Sequence, residues 1–402
     1  MICTNALCIL NIFVMSDISN QLIFLGAYML IAPQSLPSKK KRRRQRRRPG
    51  YIPRIALNSP SMSAWARLFA SGSDRALITF TTLDYPSFNY LALRFEVLYN
   101  KYTPWSANGK IKIKPNNADY RRPRSLDSRG CLGLVLAHLR TKGSLTLLGM
   151  LFGCIASITN LYIRFGRRLL LHVLYNIEGS KIKLPDQLDV ELFKTVIQEK
   201  YPLLTDCWFV LDGLKMPLQQ PGDPDVQRVF YNGWTHYTYV SNVFVFTPDG
   251  LIISCALNFP GCVHDSLVAD YGNVYEKLKD HVDRFGGKGV GDSAFTSSRC
   301  PFIIKSARTL DNPTDYETAL NEDATSLRQT AEWGMRAFQG SFPRLKEDIV
   351  YEENGERYLL LSSAVLLYNF RARYVGFNQI RSVFLPQLEL GTADQQLEVL
   401  RN

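Results

Sequence analysis

The second half of the chain alternates short apolar runs with helical periodicity, and this pattern predicts an α/β domain. Residues 207–211 form a continuous apolar run that is typical of a strand buried on both faces, and the run ends on Asp212-Gly213. Residues 239–246 and 251–257 flank a Thr-Pro-Asp-Gly turn, which predicts a hairpin. The other elements predicted for this domain are a helix over 265–281, short strands over 288–291 and 302–305, and a long helix over 325–338.

The middle of the chain has the periodicity of helices that are joined by short turns. Helices are predicted over 131–142, 145–154 and 158–175, with Ser144 and Ser157 where N-cap residues belong. Three such helices resemble a helix-turn-helix unit, whose third helix would lie in a DNA groove. An ordinary helical packing unit with arginines on its surface is the alternative. The candidate DNA-binding residues of the third helix are Arg164, Arg167 and Arg168.

The chain of 402 residues, of which 46% are hydrophobic, is long enough for two or three domains with a sizeable core. The patterns divide it into five segments. These are a disordered leader and basic arm over 1–50, an N-terminal segment without a clear pattern over 51–125, a helical DNA-binding domain over 126–200 that ends with a helix over 188–200, the α/β domain over 201–385, and a tail over 386–402.

The net charge of +12 is distributed unevenly along the chain. Residues 1–50 carry a net charge of +8, residues 51–200 carry +11, and residues 201–402 carry −7. A basic front half favours binding to a polyanion. The acidic remainder indicates a domain that uses its carboxylates for another purpose.

Nine of the ten residues from Lys39 to Arg48 are Lys or Arg, so this stretch is predicted to be a solvated, extended arm. Its composition suits nuclear import and nucleic-acid binding equally well, and a solubilising linker is the alternative. A second basic cluster precedes the helical unit. The candidate DNA-binding residues of the two clusters are Lys39, Lys40, Lys41, Arg42, Arg43, Arg44, Arg121, Arg122 and Arg124.

Several other kinds of site are disfavoured. The eight cysteines form no Cys-x-x-Cys pair, which argues against a zinc site and for a reducing compartment. The glycine-rich stretch 287–291 lacks the Gly-Lys-Ser/Thr ending of a phosphate-binding loop. The apolar stretch 22–32 has about 11 residues, whereas a membrane-spanning helix needs about 20. A poorly ordered or wrongly assigned leader is therefore favoured over a membrane anchor.

Three carboxylates of the α/β domain are candidates for catalysis. Asp212 and Asp292 are predicted at the ends of apolar strands, where an isolated charge is costly unless it is paired or binds a cation. Glu332 is predicted on the long helix, and the three residues are separated by 80 and 40 positions. A ribonuclease H-like nuclease core has this arrangement, with carboxylate oxygens that hold Mg²⁺ or Mn²⁺. In the alternative interpretation, Asp212 caps a turn and Glu332 is a surface residue.

Several motifs of the second half occur in the order found in one known family. They are Phe-Tyr-Asn-Gly-Trp-Thr-His at 230–236, Thr-Pro-Asp-Gly-Leu at 247–251, Phe-Pro-Gly-Cys-Val-His-Asp-Ser at 259–266, Gly-Asp-Ser-Ala-Phe at 291–295, Phe-Pro-Arg-Leu-Lys at 342–346 and the stretch 367–381. Together they resemble the DDE superfamily endonuclease domain of PIF/Harbinger transposases and their domesticated relatives. The resemblance covers roughly residues 124–384.

The resemblance implies a ribonuclease H-like DDE core in which Asp212, Asp292 and Glu332 are both the catalytic residues and the ligands of two Mg²⁺ or Mn²⁺ ions. The implied activity is cleavage at transposon ends, followed by transfer of the 3′ hydroxyl to target DNA. Double-stranded DNA, a Myb-like accessory protein and further copies of the chain are the implied partners, the nucleus is the implied location, and no membrane is involved. A domesticated, catalytically inactive DNA-binding regulator is the alternative.

The sequence departs from the family pattern after its third carboxylate. Glu332 is followed by Trp333-Gly334, where many family members have Arg and then a Phe-Gly pair. Other acidic side chains lie nearby in sequence, but they are expected in an irregular polar segment ahead of the long helix. These are Glu317, Glu322 and Asp323.

Three further residues are candidate accessory groups. His264 and Asp265 open the helix predicted over 265–281, so Asp265 is expected to cap that helix, and contact with a metal or substrate is the alternative. His236 follows the Tyr-Asn-Gly-Trp turn. A packing role is favoured for it over contact with the active site or the DNA backbone.

Overall fold

The computed structural model describes residues 52–105, 112–113, 123–295, 300–306, 313–350, 354–384, 386 and 388–389. The predicted leader and basic arm lie outside these residues, and so do Arg121 and Arg122. In the part of the chain that is described, no single helix is long and apolar enough to cross a membrane. The helices Leu145–Phe152 and Ala156–Tyr175 pass that test only as a pair, which is bent by 89°.

The segment without a clear sequence pattern is helical. It contains α1 (Ala64–Ala70), α2 (Asp74–Thr81) and α3 (Tyr85–Lys101), which are followed by the short strands β1 (Tyr102–Thr103) and β2 (Lys112–Ile113). Each of these helices begins after a residue whose side chain accepts a hydrogen bond from a backbone N–H of the first turn. The capping residues are Ser63, Ser73 and Asp84.

The predicted helical unit is present with small changes at its ends. It contains α4 (Ser128–Arg140), α5 (Leu145–Phe152), α6 (Ala156–Tyr175) and α7 (Gln187–Lys200). Ser144 caps α5 as predicted, because its side chain accepts a hydrogen bond from the backbone N–H of Leu147. The prediction for Ser157 is wrong, since α6 begins at Ala156 and its N-cap residue is Ile155.

The α/β domain is built on one mixed sheet. Its strands are β3 (Cys207–Pro217), β4 (Tyr231–Asn232), β5 (Tyr237–Phe246), β6 (Ile252–Pro260), β7 (Lys288–Asp292) and β8 (Ile303–Ser306). β5 pairs antiparallel with β3, β4 and β6, while β7 runs parallel to β3 and β8. The predicted hairpin of 239–246 and 251–257 is confirmed as β5 and β6. This mixed sheet with its helices is compatible with a ribonuclease H-like core.

The helices of the α/β domain are α8 (Pro224–Phe230), α9 (Asp265–Tyr271), α10 (Val274–Phe285), α11 (Asp315–Ser341) and α12 (Asn354–Tyr374). Two predictions change. The helix expected over 265–281 is broken at Gly272-Asn273, because Asn273 has a left-handed backbone with φ of 56°. The long helix begins at Asp315, where Thr314 and Glu317 form a capping box, so the acidic segment assigned to an irregular stretch is helical.

The helical segments and the α/β domain share one hydrophobic core. A continuous cluster of buried side chains runs from Trp65 in α1 to Leu388 near the end of the described chain. α6 packs against α12, and α11 packs across β3, β7 and β8. The helical unit is thus joined to the sheet domain by apolar packing as well as by the chain.

Candidate active site

Asp212 and Asp292 lie where two neighbouring parallel strands separate. The pairing of β3 with β7 ends at Val210 and Val290, and each aspartate follows two residues later. Asp292 ends its strand as predicted, but Asp212 lies inside β3, which stays paired with β5 as far as Pro217. Both residues therefore lie at the point where β3 and β7 stop pairing, and openings of this kind between parallel strands are usual positions for sites in α/β sheets.

The carboxyl group of Asp212 is poorly solvated. The residue is 9% exposed, and burial raises its pKa to about 7. The carboxylates of Asp292 and Asp265 raise this pKa further, whereas the backbone N–H of Gly213 at 2.7 Å and the guanidinium of Arg328 oppose the rise. The negative charges that gather here favour the binding of a cation.

The raised pKa of Asp212 predicts a pH-dependent stability. In the unfolded chain this carboxyl group titrates near pH 4, whereas in the folded chain it titrates near pH 7. The folded state is therefore most stable, with respect to this group, below pH 4, and it loses stability as the pH rises from 4 to about 7. With a chelator present, Asp212→Asn is expected to be more stable than wild type by roughly 2–4 kcal/mol at pH 8. The gain should vanish towards pH 4. Urea unfolding between pH 4 and pH 8 measures this difference in the free energy of unfolding. A difference that stays constant across this pH range would contradict the prediction.

Arg328 joins Asp212 to Glu332. Its Nη1 atom lies 2.9 Å from Oε1 of Glu332 and 3.6 Å from Oδ2 of Asp212. Arg328 precedes Glu332 by one turn of α11, so both side chains lie on the same face of the helix. Arg336, one turn further on, lies 3.7 Å from the other oxygen of Glu332. The fold thus brings the first and third predicted carboxylates to one guanidinium, which the sequence analysis did not identify.

Asp292 lines an open cleft that also includes Arg328. The cleft has a volume of about 560 Å³. Its other lining residues are mainly hydroxyl and amide side chains from the turn after β7, from β8 and from α11, namely Ser293, Ser306, Asn321, Thr325 and Ser326, together with Glu322. Oδ1 of Asp292 accepts a hydrogen bond from the backbone N–H of Ala294 at 2.5 Å. This polar surface suits the oxygens of a phosphate group.

Asp265 is a fourth carboxylate of the site. The N-cap residue of α9 is His264, and Asp265 is the first residue of the helix, so the expected capping role of Asp265 is wrong. Its carboxylate lies against Gly213, where an added Cβ would be only 2.3 Å from Oδ2. Oδ1 is buried and accepts no hydrogen bond from any residue that the structure describes, and burial raises the pKa of the group. The sequence signal for this residue was the His-Asp pair after a Pro-Gly turn.

The donors of the site are of the chemical type that a hard divalent cation prefers. Carboxylate oxygens are the ligands that Mg²⁺ and Mn²⁺ prefer, and Oδ1 of Asp265, which has no hydrogen-bond partner among the described residues, is an oxygen of this type. Asp212, Asp265 and Asp292 supply such oxygens near one another, while Glu332 is held by arginines. Among the described residues, no three His, Cys, Asp or Glu side chains are arranged to hold a metal ion.

The arginines predicted to bind DNA converge on one glutamate of the α/β domain. Arg164 and Arg167 lie 3.4 and 3.5 Å from the carboxylate of Glu356 in α12, and Arg168 also forms an ion pair with it. Arg167 is 7% exposed. This face of α6 therefore packs against the α/β domain, which gives the three side chains a structural partner.

The other predicted site residues have local partners or lie outside the described chain. Arg124 donates a hydrogen bond to the backbone oxygen of Tyr102 at 2.7 Å and lies over the ring of Tyr99. Nδ1 of His236 and the hydroxyl of Tyr231 are 3.1 Å apart. The predicted residues outside the described chain are Lys39, Lys40, Lys41, Arg42, Arg43, Arg44, Arg121 and Arg122.

Comparison with protein-family models assigns the α/β domain. Residues 211–369 match the model described as DDE superfamily endonuclease. The match begins next to Asp212 and includes Asp292 and Glu332. This part of the chain is therefore similar to DDE superfamily endonucleases, and the match supports a DDE transposase-like nuclease, a class that acts on phosphodiester bonds of DNA and generally uses divalent metal ions. No curated protein and no solved structure matches the chain.

Proposed function

We propose that the protein is a metal-dependent DNA endonuclease of the PIF/Harbinger transposase type, and that Asp212, Asp292 and Glu332 are its catalytic carboxylates. The observation that carries this proposal is the contact of Asp212 and Glu332 with one atom of Arg328, beside a cleft that Asp292 lines. Asp292 is also close enough to Asp212 for the two carboxylates to interact electrostatically, which supports a shared site for residues that are separated by 80 and 40 positions in the sequence.

The side chains of this site have distinct roles in the proposed reaction. Asp212, Asp292 and Glu332 would hold Mg²⁺ or Mn²⁺, which supplies activation of the attacking oxygen and stabilisation of the leaving oxygen of a phosphodiester. Arg328 balances the charge of Asp212 and Glu332 in the free protein. The hydroxyl groups of the cleft donate hydrogen bonds that orient the phosphate, and Asp265 supports Asp212 through its contact with Gly213.

The biological setting follows from the resemblance and from the charge distribution. We infer cleavage at transposon ends, transfer of the freed 3′ hydroxyl to target DNA, action in the nucleus as an oligomer, and assistance from a Myb-like DNA-binding protein. The basic arm from Lys39 to Arg48 would supply salt-dependent affinity for the DNA backbone, which the acidic α/β domain lacks.

One observation favours a second function. Both oxygens of Glu332 are engaged by arginines, and no described group of three carboxylates is arranged for a metal ion. A domesticated DNA-binding regulator that kept the fold without catalysis would have such a site. The two functions differ in whether the protein cuts DNA at all.

Nicking of a supercoiled plasmid by the full chain tests the proposed function. We expect conversion to the open-circular form with Mn²⁺ or Mg²⁺ and no conversion with EDTA. Isothermal titration with Mn²⁺ provides a second readout, in which heat of binding is expected for the wild type and is weakened in Asp212→Asn. Binding of the plasmid without any metal-dependent nicking would support the regulatory function instead.

A further inference from the structure

Two arginines of α11 flank Glu332, one turn before it and one turn after it. Nη1 of Arg328 lies 2.9 Å from Oε1 of Glu332, and Nη2 of Arg336 lies 3.7 Å from Oε2. The side chain of Arg328 is 22% exposed, whereas that of Arg336 is 75% exposed. Arg328 also reaches β3, where Oδ2 of Asp212 lies 3.6 Å from the same Nη1 atom. The two ion pairs of Glu332 therefore differ in burial and in what they connect.

The contacts of Arg328 engage atoms that the proposed metal site needs. Asp212 and Glu332 each direct one carboxylate oxygen at Nη1 of Arg328. A guanidinium is always charged and only donates hydrogen bonds, so it attracts the same oxygens as a divalent ion and repels the ion itself. In the part of the chain that is described, no three His, Cys, Asp or Glu side chains are arranged to hold a metal ion. Arg328 gives this arrangement a physical cause.

The cleft beside the site has room for the guanidinium when it leaves the carboxylates. Arg328 lines this cleft of about 560 Å³ together with Thr325 and Asn321. These two residues precede Arg328 on α11 by three and seven positions, so they share its face of the helix. The oxygens of hydroxyl and amide side chains accept hydrogen bonds. The side chain of Arg328 can therefore exchange its partners without a movement of α11.

We propose that Arg328 is an autoinhibitory residue, which holds Asp212 and Glu332 in the free protein and which the divalent ion has to displace. This proposal rests on the proposed function and adds a regulatory contact to it. The affinity for the ion is lowered by the fraction of molecules in which the carboxylates are available. If that fraction is one in ten, binding is about tenfold weaker than in a site without the arginine.

Isothermal titration of the full-length protein with Mn²⁺, in the absence of DNA, tests the competition. Arg328→Gln is expected to bind Mn²⁺ about tenfold more tightly than wild type, because the uncharged side chain no longer competes for the carboxylates. An arginine that only supports the shape of the site would give the opposite result. Equal or weaker binding by Arg328→Gln would therefore overturn the proposal.

Arg336→Gln is the matched control. It removes the same charge from the same helix, one turn on the other side of Glu332, at an exposed position. Its affinity for Mn²⁺ should stay within about twofold of wild type, because exposed ion pairs are weak. An equal gain in both variants would also reject the proposal, since any lost positive charge would then have the same effect.

Melting temperatures provide a second readout. In EDTA, Arg328→Gln is expected to melt at a lower temperature than wild type, because the carboxylates have lost their counter-charge. Saturating Mn²⁺ should raise its melting temperature by more than it raises that of wild type. If Arg328→Gln does not fold in EDTA, Arg328→Lys replaces it in the titration. Its single ammonium group bridges two carboxylates less well than a guanidinium, so tighter binding than wild type is expected and unchanged affinity would contradict the proposal.

The titrations also distinguish a failure of the proposed function. If wild type and Arg328→Gln bind Mn²⁺ equally well, the metal site stands and the role of Arg328 is wrong. Binding by Arg328→Gln alone would support the proposal, because the arginine then closes the site completely. If neither protein binds Mn²⁺ and neither nicks the plasmid, the metal-dependent nuclease is refuted together with the role of Arg328.

Discussion

Asp292→Asn is expected to lower metal-dependent plasmid nicking about a thousandfold, which corresponds to several kcal/mol of lost transition-state stabilisation. An amide at this position removes one negative charge and one strong metal ligand from the end of β7 but keeps the shape of the side chain. Asp212→Asn should have a similar effect on nicking. The measurement is the initial rate of open-circle formation at saturating Mn²⁺.

Controls on other carboxylates make this result specific. Asp283→Asn changes an exposed aspartate that pairs with Lys279 on the surface of α10, and its nicking rate should equal that of wild type. Glu322→Gln lies on α11 with Glu332 but is not an assigned ligand. Undiminished nicking by Asp292→Asn would reject the assigned triad. If Glu322→Gln loses as much nicking activity as Glu332→Gln, Glu322 is a further candidate for the third catalytic carboxylate.

Glu356→Gln is expected to destabilise the protein by about 3 kcal/mol, because it leaves a group of partly buried arginines without their shared counter-charge. The side chain of Glu356 is 11% exposed and that of Arg167 is 9% exposed, so water compensates for little of the loss. The interaction joins α6 to α12 and therefore links the helical unit to the sheet domain. Urea unfolding of the full chain measures the difference.

A surface glutamate supplies the control for this stability effect. Glu178 pairs with Lys181 and Lys183 at exposed positions, so Glu178→Gln should leave the unfolding midpoint nearly unchanged. DNA binding gives a second readout. If Glu356→Gln leaves stability unchanged and strengthens DNA binding, the arginines of α6 serve the DNA, as the helix-turn-helix interpretation predicts.

The sheet domain was predictable because its local signals agree with its tertiary environment. The apolar run at 207–211 and the Thr-Pro-Asp-Gly turn at 247–250 each specify a conformation that the fold also requires. The helices between Ala64 and Lys101 were missed, although Ser63 and Asp84 carry capping signals, because mixed aromatic and polar residues hide their helical period. The break after Tyr271 depends on a backbone conformation that no periodicity reveals.

The sequence by itself determined which carboxylates are candidates, since Asp212, Asp292 and Glu332 stand in recognisable motifs and at spacings that suit a nuclease core. It also determined the uneven charge and the order of helices and strands. Only the tertiary structure decided what surrounds these groups. Arg328 reaches the site because it lies on the same face of α11 as Glu332, and Asp265 reaches it because Gly213 has no side chain. Both arrangements depend on contacts between segments that are distant in the sequence. Likewise, only the tertiary structure shows that the arginines of α6 form ion pairs with Glu356. The burial and pairing of these side chains depend on helix packing, which the local sequence pattern does not specify.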